Sequence, residues 1–447
     1  MNNQEVLKTE KVGILLLKYS IPSILSMMIT SLYNTVDRAF IGSIKDIGAL
    51  AISGLGVTMP LFTILGAFCV SIAVGGSTNI SIKLGEDNKV EAEKILGNMV
   101  LLEFVVGILI AFLGNLFLDD ILYIFGASNS TIIYARDYMS VIFAGAFFNL
   151  PGFALNSAIR GEGNPKLSAK IMISSCILNL ILDPIFIFKF NMGIKGAAIA
   201  TVICQLFVFI LSISYFIRGK SNLKLKLENI RIQNRFLKII VLVGMTQFFM
   251  ELASGFIHLF TNKILKIYGG DLSIGAMTII TSIVLMFLMP IYGISQGMQT
   301  IIAYNYGAGE RNRVKKTLLL AILSSIIILT LGLILIQFFP ESFIKIFTDD
   351  KNLTNLANQG LKINSITLPT IGVSILGAVY FQIIGESKIS IFLSLLRQVI
   401  LLIPILTLLP KIYGLNGVWI SQPVADIISM IIVILFLFNK LKKKILA

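Results

Sequence analysis

Residues 218–235 read RGKSNLKLKLENIRIQNR, a stretch with six cations, one acid and no apolar run long enough to enter a bilayer. On both sides the chain turns apolar at once, with SISYFI (212–217) before it and FLKIIVLVG (236–244) after it. A helix needs about 20 apolar residues to cross ~30 Å of hydrocarbon. Counting back from this stretch gives six such runs, at 14–41, 47–75, 94–118, 131–158, 167–189 and 194–217. Counting forward gives six more, at 237–266, 273–304, 315–339, 357–384, 389–409 and 414–438. The pattern predicts an all-α integral membrane fold of twelve transmembrane helices in two six-helix bundles. The N-terminal lobe is 1–217, the inter-lobe loop 218–235 and the C-terminal lobe 236–447.

Composition agrees. Of 447 residues 56% are hydrophobic and 13% charged, with a mean hydropathy of +0.89. Soluble domains carry roughly 25% charged residues, so lipid is part of this chain's solvent. The net charge of +14 would suggest nucleic acid if it were spread over a surface. Instead, 25 of the 37 Lys and Arg fall in 1–18, 81–94, 160–170, 218–238, 310–316, 385–390 and 439–447, ending in Lys440, Lys442, Lys443 and Lys444. These are alternate loops. The opposite loops are poorer in cations and hold Asp119, Asp120, Asp271, Asp349 and Asp350. Cations gather on the cytoplasmic side of a membrane, so both termini and residues 218–235 are expected there. The polar start MNNQEVLKTEKVG, followed by a long first span, does not read as a cleaved signal. Cys69, Cys176 and Cys204 sit in apolar runs without metal-ligand spacing and read as small apolar side chains.

The halves echo one another. Ile47-Gly48-Ala49 recurs as Ile274-Gly275-Ala276, and LGED (84–87) as AGER (308–311). GEGNPKLS (161–168) is answered by GESKIS (385–390), and GIKGAAIA (193–200) by GLNGVWIS (414–421). The matches keep one order and an offset of about 220 residues, which predicts an internal repeat. Repeats of this kind recur in transporters, where substrate binds between two lobes. Prolines 22, 60, 151, 184, 290, 369, 404 and 423 fall within or at the ends of spans. Each removes a helix donor and frees a carbonyl one turn earlier.

Charges deep in a span cost several kcal/mol and so mark sites. Asp37, Asp183 and Glu251 qualify, with Glu103 nearer the start of its span; Arg38 and Arg397 are the main deep cations. Asn179 precedes Asp183 by four residues and shares its helix face, and Pro184 frees a carbonyl beside it. Thr201 and Gln205 repeat the four-residue spacing in the next span. Carboxylate, amide, hydroxyl and carbonyl oxygens suit a hard monovalent cation or a proton relay; a polar cluster joining two helices is the structural alternative. Asp37 is followed by Arg38, a potential local pair, although adjacent residues diverge on a helix. Tyr33 and Asn34 are better placed to share its face. Glu251 shares a face with Gln247, Ser254 and His258, the chain's one histidine.

Several of these segments resemble a known family. SLYNTVDRAFIG (31–42), AIRGEGNPK (158–166), LNLILDP (178–184), GAAIAT (196–201) and QGMQTIIAYNYGAGERNRVKK (296–316) are similar to motifs of the multidrug and toxic compound extrusion (MATE) transporters, in the MepA-like or DinF-type bacterial branch. The resemblance covers essentially the whole chain. It implies a monomeric antiporter, without cofactor, that exports amphipathic organic cations in exchange for H+ or Na+. Carried over residue by residue, it implies a cation-coupling cluster of Asp37, Asn179, Asp183 and Thr201, which would also hold Na+. Glu251, with Gln247 and His258, is implied as a second coupling or substrate position. Some branches use an aspartate in the tenth span, where residues 357–384 carry no acid. A lipid-precursor or polysaccharide flippase of the same superfamily is the nearest alternative, but it calls for a cationic cavity. An enzyme lacks support: there is no HExxH and no convincing nucleophile–base pair. A channel lacks a repeated filter-like segment.

Overall fold

Helices account for nearly every apolar run in the computed structural model, which describes residues 3–44, 48–219, 221–348 and 350–443. Among the described residues, eleven helices are long and apolar enough to span a membrane, and counting one bent pair as a single span makes twelve. In the first half they are Val12–Gly42, Ala51–Gly85, Lys89–Leu116, Ile132–Gly161, Pro165–Lys189 and Gly193–Ile217. In the second they are Asn234–Gly270, Leu272–Gly307, Arg311–Phe338, the pair Lys351–Asn364 and Leu368–Ile383, Ser387–Tyr413 and Leu415–Lys442. Among the described residues there is no strand. Ile47 of the first repeat match, Asp349 and Lys444 lie outside the described residues, as do the side chains of Asn34 and Asp271.

Local chemistry sets the helix ends. Asn88 caps the third span by accepting from the Glu91 N–H, and Asn164 caps the fifth ahead of Pro165. Gly270, at φ 67°, supplies the left-handed turn between spans seven and eight. The second span runs to Gly85 rather than ending near residue 75. Its polar last turns stay helical because Ser77, Thr78 and Ser81 are buried, and Ser81 Oγ donates to Gly161 O at 2.6 Å. The tenth span, expected as one helix over 357–384, is bent by 55° between Asn364 and Leu368. Pro369 has no N–H to return to the Ser365 carbonyl, which accepts from the Leu368 N–H instead, at 2.9 Å. Large apolar side chains such as Phe112, Leu259 and Phe338 face outward, as lipid permits.

The described chain divides into two compact units. The first holds Leu25–Phe248, a piece ending at Glu10, and Ala303–Glu310; the second holds Lys11–Ile24, Phe249–Ile302 and the chain from Arg311 onward. The first unit's core includes Leu122, Met139, Phe143, Ile187 and Ile194. Each half repeats one tertiary bond. Ser168 Oγ donates to Asn156 Oδ1 at 2.7 Å, and Ser390 Oγ donates to Ala378 O at 2.7 Å, each twelve residues back along the chain.

Residues 218–235 are clasped by acids of the first unit. Glu162, between spans four and five, is buried and accepts from Ser221 Oγ at 2.6 Å and from the Asn222 N–H. Glu93 accepts from the Lys224 N–H at 3.1 Å and pairs with Lys226 Nζ at 3.3 Å. Asn98 accepts from the Gln233 N–H at 2.8 Å, and Arg235 pairs with Glu91 at 3.0 Å. Gly97 has no Cβ because the Asn229 carbonyl occupies that space.

Candidate functional site

Spans one, four, five and six of the first unit converge on a buried acidic cluster. Asn179 Nδ2 donates to Asp183 Oδ1 at 3.1 Å within the fifth span, and Asp183 is wholly shielded. Pro184 ends the α-helix there and a π-helical turn, Ile185–Lys189, follows. The first span brings the Asp37 carboxyl within hydrogen-bonding reach of Asp183. Arg38 turns instead to Met59 Sδ, 3.7 Å away. The sixth span adds Thr201, which lies near Tyr138 of the fourth span, and Cys204, which lies near the Asn179 side chain. Tyr33 lies within electrostatic reach of both carboxyls. Asp37, Asn179, Asp183 and Thr201 thus meet in one place, although they come from three spans.

A cavity of about 130 Å³ opens beside them, lined by Tyr33, Asn149, Phe153, Asn179, Thr201 and Gln205 among others. Asp37 Oδ1, Asp183 Oδ2, Asn179 Oδ1 and Gln205 Oε1 are buried and receive no hydrogen bond from the described residues. All four are acceptors. Two facing carboxyls cannot both stay charged without a shared proton or a cation between them. The donor set therefore calls for positive charge. Hard oxygens from carboxylate, amide and hydroxyl suit Na+, and the same pair of acids can hold a proton. No group of three His, Cys, Asp or Glu gathers as a metal site among the described residues.

Of the other residues singled out from sequence, Glu103 and Gln247 fall in the first unit and Glu251 and His258 in the second. Glu251 is partly buried and His258 exposed, and neither has a hydrogen-bond partner among the described residues; Gln247 lies on the same helix. Glu103 is fully buried with both carboxyl oxygens unpartnered. Two residues of structural weight were not singled out: Tyr138, which reaches the cluster from a different span, and Asp426. Asp426 sits in the twelfth span and is fully buried. It accepts from Gln422 Nε2 at 3.0 Å, from Arg397 Nη1 at 3.4 Å and from Thr367 Oγ1 at 3.4 Å. An acid inside an apolar run was the signal for it.

Spans built as a six-and-six repeat, with an acidic pocket buried in the first half, define a polytopic membrane protein of the repeat-built class. A family model described as MatE matches residues 22–185 and again 247–408, one match in each half, and the chain belongs to the MatE family. Among curated relatives, the multidrug export protein MepA of Staphylococcus haemolyticus (strain JCSC1435) is 28% identical over 422 residues, 94% of this chain and 92% of that protein. MepA of Staphylococcus aureus (strain MSSA476) is 27% identical over 424 residues, 94% and 93% of the two chains. Among solved structures, one described as a complex of the MATE multidrug transporter DinF-BH is 35% identical, with a TM-score of 0.89 over 96% of both chains. A second, a MATE protein in complex with MaL6, shares the fold at a TM-score of 0.93 and 22% identity, covering 99% of this chain and 98% of that one.

Proposed function

We propose that this protein exports amphipathic, mostly cationic organic molecules across the bacterial cytoplasmic membrane in exchange for H+ or Na+, and that both termini face the cytoplasm. The observation that carries this reading is the set of four unbonded acceptor oxygens beside a cavity in the first unit. The names borne by the MepA and DinF-BH relatives support the cargo class.

The chemistry follows from competition for the same oxygens. In one state Asp37 and Asp183 share a proton or take it up, and the pocket is neutral. In the other a cation sits among the carboxyl, amide and hydroxyl oxygens. A drug cation entering the cavity favours ionised acids and so expels the proton or the small cation. Each ligand shifts the balance between two helix packings only by its difference in affinity for them. Alternating access between the halves then converts an inward ion gradient into outward drug movement.

The test uses purified protein in vesicles loaded with a cationic dye, with a pH gradient and a Na+ gradient imposed one at a time. Efflux should accelerate under one of them. Equal leak with both, for several cationic dyes, would remove this reading.

A further inference from the structure

We propose that the second half carries its own proton-exchange centre, built on Asp426 with Arg397 as its resident countercharge. Its part in transport rests on the antiport reading; the existence of the centre does not.

Three observations converge. First, the internal repeat places it. The pairing of GIKGAAIA with GLNGVWIS sets Thr201 against Gln422 and Gln205 against Asp426, and the Ser168–Ser390 match sets Ser175 against Arg397. Ser175, Thr201 and Gln205 all line the first-half cavity. The second half therefore carries an ion pair at the positions where the first half carries the polar wall of its cavity.

Second, the pair is loosely made. Arg397 touches Asp426 through one nitrogen at 3.4 Å, whereas Arg136 grips Asp119 at the surface with two, at 2.7 and 2.5 Å. A buried ion pair offsets its desolvation only with close, complete bonding. The guanidinium adds only one long contact to the neutral bonds from Gln422 and Thr367, so a proton can take its place as the countercharge.

Third, the backbone around it is irregular. Arg397 sits on a π-helical turn, Leu396–Leu401, and Thr367 at the break in the tenth span. Asn364 Nδ2, at the same break, and Gln398 Oε1, next to Arg397, are buried without partners among the described residues. Irregular backbone at membrane depth occurs where it is buried in protein or lines a polar site.

The charged group facing Asp426 is Arg397; Thr367 and Gln422 are neutral. Lys351, Lys362, Lys388 and Lys411, on helices packed against the twelfth span, are exposed, and Tyr380 of the tenth span is buried. Tyr292 lies within electrostatic reach of both Arg397 and Glu251, which extends the polar path toward the seventh span. The step is simple. Asp426 takes one proton from water, and the guanidinium keeps its charge and leaves the carboxyl. Loss of the proton restores the pair.

Infrared difference spectra of the purified protein in lipid nanodiscs, recorded against pH with no cargo present, test the centre directly. A protonated-carboxyl band should appear on acidification, and a component of it should persist in the Asp37→Asn/Asp183→Asn double variant and be lost when Asp426→Asn is added to that variant. Asp426→Glu, which keeps the acid, should retain the band at a shifted frequency. A wild-type spectrum from Asp426→Asn, or no frequency shift in Asp426→Glu, would overturn the proposal.

The vesicle assay separates exchange from mere support. The charge-free pair Arg397→Met/Asp426→Leu should transport with one proton fewer per dye than wild type. Recovery of the full wild-type proton ratio would make the pair structural and overturn its role in transport. Should no ion gradient drive wild-type efflux, the antiport reading fails while the infrared band still decides the exchange centre.

Discussion

Asp183 is wholly shielded from water and meets no basic side chain among the described residues, which makes it the residue on which the proposed coupling turns. Asp183→Asn preserves the size of the side chain but locks the neutral state. Gradient-driven dye efflux at matched protein levels should fall by about tenfold or more, equivalent to ~1.4 kcal/mol on the barrier. Asn179→Ala and Thr201→Ala remove neutral ligands and should cost less, and Tyr138→Phe, which strips the hydroxyl lying near Thr201, less again. Full transport by both Asp37→Asn and Asp183→Asn would move the coupling elsewhere, with Glu251 next. The legibility of these residues follows from geometry. Asn179 and Asp183 lie on one helix, so a four-residue spacing reveals their contact. Tyr138 meets Thr201, and Arg397 meets Asp426, only through packing between spans, which no spacing encodes. Asp426 itself was visible as an acid within an apolar run.

The linker is the element whose behaviour the structure defines most sharply. Burial lifts Glu162 above the ordinary glutamate range, against the pull of donors from Ser221, Asn222, Leu223 and Tyr215. The docked state therefore binds a proton more tightly than an undocked, solvated Glu162 would. Docking is most stable below the ordinary glutamate value and weakens as pH rises through the lifted one. Amide-exchange protection of residues 221–226, corrected for intrinsic rates, should fall across that window and become flat in Glu162→Gln. Glu162→Ala leaves a buried hydroxyl and amide unpaired and should cost about 1–3 kcal/mol in linker docking. Gly97→Ala drives a methyl into the Asn229 carbonyl and should cost a similar ~1–3 kcal/mol, read as faster exchange in the same segment. From sequence the linker was legible as a polar, basic divider. Its anchors were not, because Glu93 and Asn98 lie more than 120 residues earlier, at the start of the third span.

For the molecule as a whole, the distribution of cations predicts that residues 218–235 are cytoplasmic. A membrane-impermeant maleimide added to intact cells should leave single cysteines there unlabelled. Background will be low, because Cys69, Cys176 and Cys204 are all buried. External labelling in that segment would invert the topology. Twelve spans and their order were legible because length and apolarity are linear properties of the chain. The bend in the tenth span was not, because Pro369 marks a candidate break and only packing decides whether a helix takes it. The clasp also has a consequence for biosynthesis. Glu91, Glu93, Asn98 and Glu162, which grip the linker, all precede it in the chain, so the linker can dock while the second half is still being translated. Domains made first tend to fold first. A ribosome stalled some forty residues past Arg235 should already carry a protease-resistant linker, and one carrying Glu162→Ala should not.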